Sequence, residues 1–148
     1  MKRQVRIMSS STVEKQERAT TRNTIQRALV LEAVQSLCNH PTSADVYEVV
    51  REKHPNISRA TVYRNLGVLA NRGEVLRVEV PNGADRYDFR NKPHYHAKCR
   101  VCGGVFDIEM PHLDDLAAQV QDAHGFVIEG HEIIFDGVCA TCRAAHAN

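Results

Sequence analysis

Nine residues, His94-Tyr95-His96-Ala97-Lys98-Cys99-Arg100-Val101-Cys102, hold two imidazoles and two thiols. A second Cys-x2-Cys pair, Cys139-Ala140-Thr141-Cys142, lies near the C-terminal end. Each pair can span one edge of a tetrahedron, with sulfur roughly 2.3 Å from a zinc ion. Two such pairs predict a structural zinc site made of Cys99, Cys102, Cys139 and Cys142. The bland alternative is two disulfides or four inert thiols. A filled four-sulfur site has no room for the imidazoles. His94 and His96 share one face of an extended segment, so they are free for a second role. Candidate partners are Asp88 before the motif, Asp107 in the segment after the first knuckle, and His40 at a helix end. Imidazoles and carboxylates together suit Fe, Mn or Zn dications. The alternative for each histidine is plain surface or a helix-dipole contact. Plain surface is the reading for His54, His112, His124 and His146.

The elements that must position these groups follow from periodicity. Residues 1–12 read as a disordered polar tail, and 13–20 as a short helix. Val30, Val34 and Leu37 share a face of a helix over 24–38, with Thr24 as N-cap and Cys38 as a small buried residue. Pro41 breaks it. Thr42 or Ser43 caps a helix over 43–53, with Asp45 near its positive end. Ser58 caps a third over 59–71, with Val62, Leu66 and Leu69 inward and Tyr63 and Arg64 outward. Strands at 75–80 and 86–89 flank the Pro81-Asn82-Gly83 turn. Three helices and a hairpin are the order of a winged helix-turn-helix, whose third helix enters a major groove. Beyond the linker, 91–93, come strands at 94–99 and 104–109, a helix at 112–123 and a strand at 126–136. The fold class is α+β: an N-terminal winged-helix domain over 13–90, then a small α+β domain over 94–148 that carries the zinc site.

Charge supports this division. Residues 1–92 hold 16 Lys and Arg against 10 Asp and Glu, a net of +6; residues 93–148 hold 3 against 8, a net of −5. A basic half fits nucleic acid. Apolar content of 43 % and charged content of 25 % are ordinary for a globular protein. No apolar run reaches the roughly 18 residues of a membrane span, and no apolar stretch follows Lys2, Arg3 and Arg6. Five cysteines in such a chain favour metal over disulfides and a cytoplasmic location.

Thr24-x2-Arg27, His40-Pro41-Thr42, Ala60-Thr61-Val62-Tyr63-Arg64-Asn65-Leu66, His94-x-His96-x2-Cys99-x2-Cys102-Gly103 and Cys139-x2-Cys142 together resemble the ferric uptake regulator family, over roughly residues 20–143. Within it the chain is most similar to the peroxide-sensing repressors. The resemblance implies a regulatory Fe2+ or Mn2+ held by His40, Asp88, His94, His96 and Asp107. Iron- and zinc-responsive members often carry Glu where Asp88 and Asp107 stand. It further implies a homodimer formed by the second domain, and Tyr63, Arg64 and Arg22 on an A·T-rich pseudo-palindromic operator of double-stranded DNA. The metal would join both domains and favour the DNA-binding geometry. In those relatives iron meets peroxide and a ligand histidine is oxidised; His40 and His94 hold the matching positions. Three departures stand out. Ile25 replaces a frequent Pro, Arg22 replaces a Lys, and Pro93 and Tyr95 occupy positions that an additional site of the iron regulators fills with a His and an acid, while His131 remains.

The sequence therefore predicts a metal-dependent repressor that senses peroxide, and no enzyme. The runner-up is an Fe-, Mn- or Zn-responsive repressor without peroxide sensing. A zinc hydrolase or deaminase would need an open zinc position, and His131-Glu132 lacks the second His of His-Glu-x2-His. A zinc-stapled protein-interaction module would explain the cysteines but not the basic half.

Overall fold

A computed structural model describes residues 10–38, 40–90 and 92–145. The tail reading over residues 1–9, Asn39, Asn91 of the linker, and His146 lie outside the described residues. Helix α1 runs without interruption from Ser10 to Leu37. It therefore absorbs residues 10–12, expected in the tail, and the separate helix expected at 13–20. No Pro or Gly interrupts residues 10–37, and Ile25 stands where Pro would have broken the helix. Thr24 is consequently not an N-cap. Its hydroxyl instead donates to the Thr20 carbonyl one turn back at 3.0 Å.

Helix α2 spans Ser43–Lys53 and α3 spans Arg59–Asn71, each capped as its sequence demands. Thr42 and Asp45 form a reciprocal capping box at the start of α2. Ser58 accepts the Thr61 N–H at the start of α3. Val30, Val34, Val46, Val50, Val62, Leu66 and Leu69 interlock as one core, sealed by Val75 and Tyr87. Strands β1 (Leu76–Val78) and β2 (Arg86–Asp88) form the antiparallel wing, with Leu76 opposite Asp88. Because strand side chains alternate, Tyr87 enters the helical core while Asp88 faces away from it.

The second half is a three-stranded sheet of β3 (Tyr95–Cys99), β4 (Val105–Ile108) and β5 (Ile134–Gly137), ordered β4-β3-β5. Strand β4 runs antiparallel to β3, and β5 runs parallel to it. A short helix, α4 (Ala140–Ala145), follows. The helix expected at 112–123 is not formed; only a 3-10 turn at Leu116–Gln119 appears. The expected strand at 126–136 shrinks to β5. The apolar residues intended for both lie open: Leu113 is 41 % exposed, Val120 47 %, Phe126 76 % and Val127 85 %. Helices of this kind draw most of their stability from burying an apolar face, and among the described residues that face stays exposed. Cys38 also departs from expectation. It follows the last helical residue in a left-handed conformation (φ 49°) that turns it off the apolar face, and it is exposed.

Candidate metal centres

The Cys99, Cys102, Cys139 and Cys142 sulfurs lie within 4.8 Å of one another. Two turns bring them together: one closes β3 onto β4, the other begins α4. Parallel pairing of β3 with β5 sets Cys99 opposite Gly137, so Cys139 follows at the same end of the sheet. Its N–H donates to Cys99 Sγ at 3.3 Å, and Cys142 N–H donates to Cys139 Sγ at 3.5 Å. The Cys102 and Cys139 sulfurs are 3.9 Å apart. That is close to the edge of a tetrahedron built on a zinc–sulfur length of roughly 2.3 Å, and far beyond a disulfide. All four thiols are free. Backbone N–H groups of Cys102 and Cys139 pull the Cys99 thiol down to about 6, while Cys142 is pushed up to about 12, chiefly by its contact with Cys139. Four crowded thiols cannot all ionise without a cation among them. The donor set and spacing fit zinc.

The second cluster comprises His40, Asp88, His94, His96 and Asp107, whose ligand atoms also lie within 4.8 Å of one another. Hairpin pairing places His96 directly opposite Asp107, and His94 falls two residues earlier on the same face. Asp88 arrives from the wing. His40 is brought in by the loop between α1 and α2. There the Pro41 carbonyl accepts the Tyr87 N–H at 2.9 Å, and Thr42 bridges to Arg86. His40 itself is left-handed (φ 52°), a conformation that costs a non-glycine residue on the order of 1–3 kcal/mol. The sequence-predicted ligands of both centres are thus each brought together.

Three observations fit a cation between these five side chains. First, the buried atoms His40 Nε2, His96 Nε2 and Asp88 Oδ2 make no hydrogen bond, an uncommon and costly state. Second, His94 Nδ1 lies 2.7 Å from the Lys92 carbonyl, which can only accept. With a proton on Nδ1, a lone pair on Nε2 would face Asp107 Oδ1 at 3.0 Å and Asp88 Oδ2 at 3.0 Å. Lone pair against carboxylate is repulsive unless a proton or a metal lies between. Third, burial raises both carboxylates and lowers His40, yet their polar neighbours outweigh it. Asp88 is held well below the ordinary carboxylate range by His40 and His96, and Asp107 is lowered by Arg90, His40 and His94. His40 is raised by Asp88 and Asp107.

On α3, Tyr63 is 54 % exposed and Arg64 is exposed, while Val62 and Leu66 are fully buried. Arg22 is exposed on α1. Arg59 belongs to the scaffold instead: it lies over the Tyr47 ring at 4.2 Å and pairs with Glu48 at 3.1 Å. His112 and His131 are not plain surface. Their rings stack at 4.8 Å, and the Tyr95 hydroxyl accepts the Leu113 N–H and shares a hydrogen bond of 2.6 Å with His131 Nε2. The Tyr95 phenol thus engages His131 by hydrogen bonding.

Fold and clusters together define a winged-helix protein organised around two clusters of side chains that could each hold a metal ion. The Ferric uptake regulator family matches residues 18–136, and the chain belongs to that family. The peroxide operon regulator of Bacillus subtilis (strain 168) is 37 % identical over 121 residues, covering 82 % of this chain and 83 % of the relative. The peroxide-responsive repressor PerR of Staphylococcus epidermidis is 34 % identical over 126 residues, covering 85 % of this chain and 84 % of the relative. The crystal structure of the Campylobacter jejuni peroxide stress regulator superposes with a TM-score of 0.69 at 26 % identity, over 91 % of this chain and all of that one. Among the described residues no helix is long and apolar enough to cross a membrane.

Proposed function

We propose that this chain is a metal-dependent, DNA-binding transcriptional repressor that responds to peroxide. The observation that carries the reading is the convergence of His40 and Asp88, from the winged-helix half, with His94, His96 and Asp107 from the other. Those five residues would hold Fe2+ or Mn2+, and Cys99, Cys102, Cys139 and Cys142 would hold zinc. Ligands drawn from both halves make the regulatory ion a clamp on their relative orientation. An ion that binds one orientation better shifts the population towards it. Coupling of about 1–3 kcal/mol changes DNA affinity roughly 5- to 150-fold. When bound, Fe2+ supplies the electron that peroxide reduction requires, beside the imidazoles of His40 and His94. Oxidation of either imidazole weakens a ligand and loosens the clamp.

The DNA contacts are assigned to Tyr63, Arg64 and Arg22. Arg64 can donate twice to guanine, and Tyr63 can contact a thymine methyl. Arg22 suits a narrow A·T-rich minor groove. Exposed Leu113, Val120, Phe126 and Val127 support a second copy of the chain as their cover, and a symmetric dimer calls for a pseudo-palindromic operator. The test is salt-dependent binding to A·T-rich palindromic DNA with and without Mn2+. Binding that ignores both Mn2+ and the Asp107→Ala substitution rejects the reading. If Fe2+-loaded protein stays on DNA through peroxide exposure, an iron- or manganese-responsive repressor without peroxide sensing replaces it.

A further inference from the structure

The two carboxylates of the His/Asp centre are each held on their outer oxygen by the same residue. The Arg90 backbone N–H donates to Asp88 Oδ1 at 2.9 Å. Its guanidinium Nη1 donates to Asp107 Oδ2 at 3.0 Å. The inner oxygens are left to the imidazoles. Asp88 Oδ2 lies 3.0 Å from His94 Nε2 and 3.5 Å from His40 Nε2. Asp107 Oδ1 lies 2.8 Å from His40 Nε2 and 3.0 Å from His94 Nε2. We propose that Arg90 is a positioning residue of this centre, which makes Asp88 and Asp107 each present a single oxygen to the ion. The inference rests on the reading of the five side chains as a metal site.

The physical need differs between the two acids. The Asp88 side chain is 6 % exposed, enclosed at the end of β2, and a backbone amide is enough to fix its rotation. The Asp107 side chain is 30 % exposed on β4. Without a partner it can rotate, leave the centre, or offer both oxygens to a cation, since carboxylates bind in either mode. A charge-assisted hydrogen bond from Arg90 fixes the rotation and withdraws the second oxygen. Glu109 competes little for the guanidinium: it stands 3.6 Å away with its side chain 87 % exposed. Partners behind the ligands govern metal affinity and orientation in this way.

The test uses the full-length, zinc-loaded chain. Mn2+ affinity is measured by titration of the free-ion electron paramagnetic resonance signal, and coordination by the visible absorption of Co2+ placed in the same centre. Arg90→Ala should weaken Mn2+ binding about tenfold, the low end for loss of an outer partner. Its Co2+ absorption should also weaken, because a second Asp107 oxygen raises the coordination number. Arg90→Lys, which retains a cation within reach of one oxygen, should restore most of the affinity. Zinc content should be the same in all three proteins. Unchanged Mn2+ affinity with superimposable Co2+ spectra in Arg90→Ala overturns the proposal and leaves an ordinary surface ion pair. If the parent protein takes up no Mn2+ beyond its zinc, the metal-site reading fails, and the role of Arg90 falls with it.

Discussion

His40 Nε2 stands 2.8 Å from Asp107 Oδ1, yet His40 Nε2 forms no hydrogen bond. Donor and acceptor this close normally align. Here both atoms belong to a cluster in which the ligand atoms of His94, His96 and Asp88 also lie within 4.8 Å. His40 belongs to the loop after α1 and Asp107 to β4, so whatever satisfies both atoms ties the two halves together.

Metal should therefore stabilise the folded chain. Mn2+ at one hundred times its dissociation constant should add about 2.7 kcal/mol. For a chain of this size that is a rise in melting temperature of roughly 5–10 °C. Asp88→Ala should abolish the shift in a calorimetric scan, since it removes the most buried carboxylate of the set. A full Mn2+ shift in that variant would remove Asp88 from the centre.

Zinc at the four-cysteine site should carry folding free energy on the order of 10 kcal/mol. Cys99→Ser should lose zinc by elemental analysis and cost the β3–β5 pairing, because Cys99 and Cys139 lie at the end of that ladder. It should also lose dimerisation in sedimentation, as the apolar residues of 113–128 depend on this sheet for support. Zinc retained at one per chain would contradict the assignment.

The capping box of α2 fixes the segment that carries His40. The Thr42 hydroxyl and N–H hold the Asp45 carboxyl below its ordinary value. A depressed carboxyl contributes stability above its unfolded value near 4, and that contribution is lost as pH falls through the folded value. Asp45→Asn should thus destabilise the protein at pH 7 and pH 5, with a smaller difference from the parent below about pH 4. Thr42→Ala should cost about 0.5–2 kcal/mol. Parallel urea unfolding at each pH measures both. An Asp45→Asn penalty that grows as pH falls would contradict the sign.

What could be read in advance was whatever local chemistry dictates. Thr42-x2-Asp45 and Ser58 announce their helices, and His94-x-His96 announces two ligands on one face. The pairing of His96 with Asp107 follows from a short hairpin. Residues 112–136 could not be read so: their amphipathic pattern calls for a burial that the described residues do not supply. Arg90 was equally silent. An arginine beside a linker can face anywhere, and only the folded structure brings its guanidinium to 3.0 Å from Asp107. Thr24 is of a capping residue type, yet its hydroxyl bonds back to Thr20 and α1 continues through it.

Arg64 offers a test of the docking face that is independent of metal chemistry. Arg64→Ala should cost about 1–3 kcal/mol in operator binding and relax specificity at one base pair. The fold should be untouched, because the side chain leaves the core beside buried Asn65 and Leu66. Equal affinity of parent and variant for operator and random DNA would move the interface elsewhere.

Peroxide sensing makes the sharpest demand on the centre. His40 and His94 present Nε2 to the same two carboxylate oxygens, so an oxidant produced there meets an imidazole before it meets solvent. Cys38 is the competing target: it is exposed two residues before His40, and its thiol donates to the Gln35 carbonyl at 2.7 Å. The Fe2+-loaded protein should gain one oxygen atom on the peptide holding His40 or His94 after brief peroxide exposure, and lose DNA in step. The Mn2+-loaded protein should keep both its mass and its DNA. Asp107→Glu should retain metal-dependent DNA binding yet respond less to peroxide, since a longer side chain re-aims the oxygen facing His40. Peptide mass spectrometry alongside a DNA-binding assay separates the outcomes. Oxygen confined to cysteine would make the sensor a thiol, and oxidation of His40 or His94 without DNA release would break the link between ligand loss and derepression.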